Sequence, residues 1–275
     1  MTDLFNRLIK KCRDEGITTA VHESICYLKY VILHTIGKNR FYDSDYYWDI
    51  LIWLNSKKWK YNATADPFKI IWINPNEIKD VTGRKPFPGR FQWIHSGLIM
   101  SGKWDVNNNS FDDKLIYKAM KNRYKNDYTW EKTEFIQKVK SDISDGILNW
   151  RGVKTGSEID RQCNEVDHLF QNISTSGFKT SSELLKSGLM NTNKRQLPDK
   201  YLKHDEIAVD INRNGKFLFV DGRHRLSAAK ILDLDEIPVR VVARHSEWQK
   251  IRENVSQNKS LHPELSNHPD LQNLL

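Results

Sequence analysis

The chain has 275 residues, 39% of them hydrophobic, enough to bury a core as one large domain or two ordinary ones. No apolar stretch approaches the roughly 20 residues that span a bilayer, and charges interrupt Met1–Lys11 too early for a secretory signal. Three cysteines (Cys12, Cys26, Cys163) cannot all pair and lack metal-ligand spacing, which speaks against a disulfide scaffold and fits a reducing, cytoplasmic setting.

The net charge of +8 is unevenly placed. Residues 1–155 carry 26 Lys/Arg against 18 Asp/Glu and eight of the nine tryptophans, whereas residues 156–275 carry 17 of each charge. The contrast predicts an α+β protein of two units: a basic, Trp-rich accessory unit over 1–155, with a helical start and a mixed middle, and a second unit over 156–275.

Residues 4–36 read as helical, with Leu4, Phe5, Leu8, Ile9 and Cys12 on one stripe and Val21, Ile25, Leu28, Val31 and Ile32 on another. Their basic decoration leaves two readings, packing on the rest of the protein or, as the lesser one, peripheral contact with an anionic membrane. Short strands are expected at Lys69–Ile73 and Phe91–His95, between Pro- and Gly-rich turns. Tryptophans interleaved with Lys and Arg suit stacking of nucleic-acid bases, but filling a core is the expected use. Helix returns at Leu115–Met120 and Trp130–Ile143, with a basic cluster at Lys118, Lys121, Arg123 and Lys125, and 151–157 reads as a linker.

In the second part, Ile159, Cys163, Val166, Phe170 and Ile173 form a helical stripe stopped by Ser176-Gly177, with Cys163 in the core. Thr180–Ser182 caps a short helix, and Asn191–Lys200 reads as a loop. Ile207, Val209 and Ile211 alternate, Asn214-Gly215 turns, and Phe217–Val220 completes a hairpin. A helix begins near Leu226, a strand follows at Ile237–Val242, and Ser246 with Gln249 predicts the cap of a last helix. His262-Pro263 and His268-Pro269 read as turn elements.

The most informative segment is Val220-Asp221-Gly222-Arg223-His224-Arg225-Leu226. A strand feeding a glycine turn and then a helix presents unpaired amides and the positive end of the helix dipole, a ready anion site. Two guanidiniums match phosphate oxygens with paired donors, so phosphate is the expected anion. In the alternative reading Asp221 is only the helix cap and the arginines face solvent.

This box resembles that of the ParB/sulfiredoxin superfamily, in which a strand runs into Gly-x-x-Arg at a helix start and a short acidic connection leads to an Ile-Pro-Val strand, here Ile237-Pro238-Val239. The resemblance covers at most about the last 115 residues, and only the box is specific. Sulfiredoxins have a cysteine where this chain has Arg223, which excludes sulfinic-acid repair. ParB partitioning proteins continue into a helix-turn-helix domain, for which the residues after the last strand are too few. The closest look is to Asp-Gly-x-x-Arg members, the free-serine kinases and nucleotide-hydrolysing proteins, matched by Asp221, Gly222 and Arg225. The resemblance implies a ParB/sulfiredoxin-like domain over 156–275 that uses a nucleotide (ATP, ADP or CTP) with Mg²⁺, as a kinase or other phosphotransferase, or as an NTPase.

The residue chemistry assigns Gly222, Arg223, His224 and Arg225 to phosphate contact. His224 also suits a proton shuttle near neutral pH, and Asp221 suits orienting a hydroxyl or holding Mg²⁺ with the phosphates. Glu206 or Asp205, opening the preceding strand, is the expected base, with Glu206 taken first, and Arg244 with His245 a second anion-favouring junction. The acceptor is an unknown hydroxyl compound. The competing class is a nucleic-acid binder or nuclease, whose box grips a backbone phosphate and whose affinity falls steeply with salt.

Overall fold

The computed structural model describes residues 45–84, 95–106, 109–147, 150–188, 205–257 and 263–274. The helical start at 4–36, the strand expected up to residue 94 and the loop at 191–200 lie outside them. The described residues form a mixed six-stranded sheet with helices, the first of them α1 (Asp45–Ser56), an α+β architecture. None of the helices is long and apolar enough to cross a membrane.

The sheet is built around β6 (Ile237–His245), buried along its whole length, which explains its near-continuous apolar sequence. β4 (Ile207–Ile211) runs parallel to it from Ile207↔Val239 onward. Its other edge takes β1 (Ile70–Ile73), antiparallel at Ile73↔Ile237 to Ile70↔Arg240, and then β3 (Leu98–Met100), parallel at Leu98↔Ala243. β5 (Phe217–Asp221) pairs antiparallel with β4, and β2 (Asp80–Val81) closes the far side beside β5. Pro238 sits one residue before the β4 pairing begins, so its missing N–H removes no ladder bond on that edge.

The hairpin turn depends on Gly215, at φ +87°. A Cβ there would lie 2.6 Å from the Trp248 ring. The alternation expected of β4 is only half the pattern, because all five residues are buried. Ile207, Val209 and Ile211 enter the core, while Asp210 on the other face accepts two hydrogen bonds from Arg84, at 2.9 Å each, and one from Thr82. A carboxylate in mid-strand is tolerated because its charge and lone pairs are met there.

Helix α6 (Arg223–Ile231) lies between two apolar layers. Leu226 and Ala229 join the sheet core of Ile71, Phe111, Val209 and Val241. Ala228 and Ile231 join a second core from α2 (Leu115–Lys125), α3 (Glu134–Ser144) and α4 (Gly156–Ser176). Burial on both sides accounts for the small Ser227, Ala228 and Ala229. The helical stripes read from the sequence are the buried ones, with Ile116, Ala119 and Met120 on α2 and Ile159, Cys163, Val166 and Ile173 on α4. Burial pushes the Cys163 thiol up to about 12, as expected of an inert core cysteine. The helix expected from Trp130 begins only at Glu134, where Thr133 caps it by accepting from the Ile136 N–H. The expected linker leads directly into α4 through the reciprocal Thr155–Glu158 cap. The same device, Thr180 with Glu183, starts the short α5 (Ser181–Lys186). At the last helix, α7 (Ser246–Ser256), the cap is His245 rather than Ser246, its ring accepting from the Glu247 N–H.

Segments 45–155 and 156–274 share one sheet and both cores, which corrects the expectation of two units divided near residue 155. The skew in charge and tryptophan marks surface and helical-layer chemistry, not separate cores: Trp104, Trp130 and Trp150 are buried, whereas Trp53, Trp59 and Trp72 are exposed. A fragment of residues 156–275 loses β1, β2 and β3 together with the core residues Ile71, Ile73, Ile78 and Phe111. It should show no cooperative thermal transition by circular dichroism; a sharp transition would mean that the fragment has a core of its own.

The segment 263–274 is tied down by Asp270, which accepts from Arg244 Nε at 3.0 Å and from Trp248 Nε1 at 2.9 Å and lies 3.1 Å from Arg252 Nη1. His268 accepts from the Asp270 N–H through Nδ1, donates from Nε2 to the Gly215 carbonyl at 2.9 Å, and packs between Phe217 and Trp248, the turn role expected of it.

Candidate functional site

β4 begins where β5 ends, and Ala208 pairs with Asp221 on one side and with Arg240 on the other. That register gathers Glu206, Asp221 and Arg240 at one end of the sheet, directly before α6. A cavity of about 1080 Å³ opens there.

Gly222 makes the turn from strand to helix, at φ +92°. It is the residue before α6, and it caps the helix without any side chain; a Cβ would stand 3.1 Å from the Ile207 backbone. The first helical bond is Leu226 N–H to the Gly222 carbonyl. The amides of Arg223, His224 and Arg225 therefore have no partner within the helix, the condition for anion binding at a helix start. The reading of Asp221 as helix cap is corrected: it ends β5, is exposed at the cavity, and accepts from the Gly222 N–H at 2.7 Å.

Five cationic side chains line the cavity, Lys114, Arg151, Arg223, Arg225 and Arg240, against the carboxylates of Asp205, Glu206 and Asp221. Burial lowers Arg223, and it lowers Arg225 in spite of Glu206. Burial, then the charge of Arg223, lowers Lys114. Burial brings Arg240 down to about 10, against the pull of Asp210 and Asp221. These four cations are thus held at a cost that a bound anion would offset, whereas Arg151 is half exposed and pairs with Glu165.

His224 is buried, and its Nε2 has no hydrogen-bond partner among the described residues. Burial, with Arg223 and Arg151 nearby, pushes its pKa down to about 3. The ring is neutral near pH 7, so the expected proton shuttle is corrected to a neutral hydrogen-bonding group. Glu206 is buried, accepting from the Ser181 N–H at 2.6 Å through Oε1, while Oε2 lies 3.5 Å from Arg225 Nη1 without a hydrogen bond. Burial raises its pKa, opposed by Ser181 and Arg225, which suits a proton acceptor.

Arg244 and His245 do not join the site. β6 carries an extra residue between the pairs Val209↔Val241 and Ile211↔Arg244, and it runs three residues further than expected. The bulge turns Arg244 to the face of Ile211, where Asp270 holds it. His245 caps α7 through Nδ1, which leaves Nε2–H to donate to the Gly102 carbonyl at 3.1 Å.

Arg240, Lys114 and Arg151 are the site residues that sequence reasoning missed. Arg240 left one signal, a lone charge within Ile237-Pro238-Val239-Arg240-Val241-Val242. Lys114 and Arg151 gave none, since their place depends on how the helical layer packs.

Mg²⁺ bound with phosphate oxygens commonly uses one or two carboxylates. The exposed Asp221 fits that demand, whereas Glu206 is buried against Ser181 and Arg225. No family model matches this chain, and no curated protein or solved structure matches it either.

Proposed function

We propose that the cavity binds a nucleotide by its phosphates and that the protein uses it as a phosphoryl donor to a hydroxyl acceptor, or hydrolyses it, on a ParB/sulfiredoxin-like fold. The observation that carries this reading is the meeting of three amides that have no partner within the helix with five cations, most of them disfavoured by their own burial. Leu169 and Phe219 add apolar wall on which a base or sugar can rest.

In this reading Arg223 and Arg225 clamp the terminal phosphate, and His224 supplies a neutral hydrogen bond. The acceptor oxygen attacks the terminal phosphorus, the bond from that phosphorus to the bridging oxygen breaks, and the nucleotide leaves with the electron pair. The acceptor proton passes to Glu206 Oε2, the carboxylate oxygen without a hydrogen bond. Bound Mg²⁺, held by Asp221 and the phosphates, would supply charge neutralisation.

Arg225→Ala should weaken nucleotide binding by about 1.5–3 kcal/mol, the scale of a hydrogen bond to a charged group. Calorimetric titration with ATP, ADP, CTP and GTP, with and without Mg²⁺, reads this directly. Arg213 is no neutral control, because it donates to both oxygens of Asp105 and to Gly102; the exposed Arg161 serves instead. Unchanged binding in Arg225→Ala would make the box structural.

A second reading, nucleic-acid binding, draws on the exposed Trp53 and Trp59, whose rings lie 4.8 Å apart beside Lys57, Lys58 and Lys60. The basic cluster on α2 supports it less, since Lys118 pairs with Asp113 and Arg123 with Asp167. Affinity for a single-stranded oligonucleotide that falls steeply with salt would favour this reading.

A further inference from the structure

Arg240 is only 2% exposed and lines the cavity, yet no carboxylate among the described residues lies within ion-pair distance of it. Its Nη1 donates to Ser96 Oγ at 3.1 Å, which fixes the guanidinium, and its Nε has no hydrogen-bond partner among the described residues. Asp210, Asp221 and Glu206 attract it from beyond pairing distance, and a buried, fixed charge with no direct ionic partner among the described residues is expensive unless something of opposite sign completes it. His224, 7% exposed, also lines the cavity, and its Nε2 is a second buried polar atom without a hydrogen-bond partner among the described residues.

Arg240, on β6, and β5, which leads into α6, lie on opposite sides of β4. Ala208 pairs with Asp221 in β5 and with Arg240 in β6, so the two anion-seeking groups are rooted about 10 Å apart, two strand spacings. A lone phosphate gripped by the first turn of α6 leaves the rest of that span unfilled. We infer that the cavity takes a chain of at least two linked phosphates, gripped at one end by the first turn of α6 and at the other by the buried guanidinium of Arg240. This rests on the phosphate reading proposed above, which already calls for a di- or triphosphate, and adds Arg240 as the residue that measures chain length.

The test titrates the full chain, without metal and at constant ionic strength, with orthophosphate, pyrophosphate and tripolyphosphate. The longer chains should bind about 30-fold or more tighter than orthophosphate, the scale of one charged, paired contact. Arg240→Met should reduce that preference to about threefold or less while orthophosphate affinity stays near the parent's, and Arg225→Ala should weaken all three. If Arg240→Met does not fold, Arg240→Lys keeps the charge without the paired donors and should still cut the preference. Equal binding of the three anions by the parent would overturn the phosphate-chain inference alone. A preference retained in a folded Arg240 variant would overturn the role of Arg240. No binding of any of the three would remove the phosphate reading itself, and the inference with it.

Discussion

Asp270→Ala should destabilise the protein by about 3–5 kcal/mol, the cost of removing one partner from a buried ionic group. The carboxylate is 3% exposed and answers two guanidiniums and an indole: Arg244 through Nε and Nη2, Arg252, and Trp248 Nε1. Without it, Arg244 and Arg252 remain buried as uncompensated charges, and the segment 263–274 loses its anchor to α7 and β6. Urea unfolding followed by tryptophan fluorescence reads the loss as a lower midpoint at unchanged slope. Glu247→Gln, which breaks an exposed pair with Lys250, should leave the midpoint where it is.

Asp270 also sets a pH dependence. Burial alone would raise its pKa, but Arg244, Arg252 and Trp248 outweigh burial and hold it below the ordinary aspartate range. A depressed folded value means that the unfolded chain binds the proton first, so the contribution is complete above the unfolded aspartate value, about 3.9, and falls away as pH drops below it. Asp270→Asn should flatten the acid limb of the stability curve. An acid limb identical to the parent's would place the linkage on other carboxylates.

The parts of the site legible in the sequence are those whose chemistry is local. Strand, glycine and helix adjoin in Phe217–Ile231, so the free amides and Gly222's positive φ follow from neighbouring residues. The helical stripes were legible for the same reason, since periodicity records which side of a helix is buried. What escaped depends on pairing across long separations. Asp210 breaks the apolar run of a fully buried strand, and Arg84, 126 residues away, accounts for it. Arg240 becomes a site residue only through the parallel register of β4 and β6. Arg244 and His245 look equivalent to it until one bulged residue turns Arg244 to the opposite face. The division near residue 155 failed because composition reports surfaces, whereas the sheet joins residues 70–100 to residues 207–245.

The largest effect on activity is expected at Asp221. Asp221→Asn should leave folding nearly unchanged, because the side chain is exposed and an Asn oxygen still accepts from the Gly222 N–H. If the carboxylate holds Mg²⁺ or orients the acceptor, turnover should fall by two orders of magnitude or more, about the scale of one general-base or electrostatic contribution. Nucleotide affinity without metal should hold or rise, since a repulsive charge leaves the neighbourhood of the phosphates. Glu206→Gln should lower turnover to a similar degree while tightening binding, because it keeps the acceptor for Ser181 and releases Arg225 from its counter-charge. The pH profile separates the two residues. Burial raises the pKa of Glu206, so parent turnover should fall as pH drops through a value above the ordinary glutamate range, and that limb should vanish in Glu206→Gln. With His224 held at about 3, no limb near 6.5 should come from it. Full turnover in Asp221→Asn would reduce Asp221 to a turn residue, and an acid limb that persists in Glu206→Gln would assign the proton to another group.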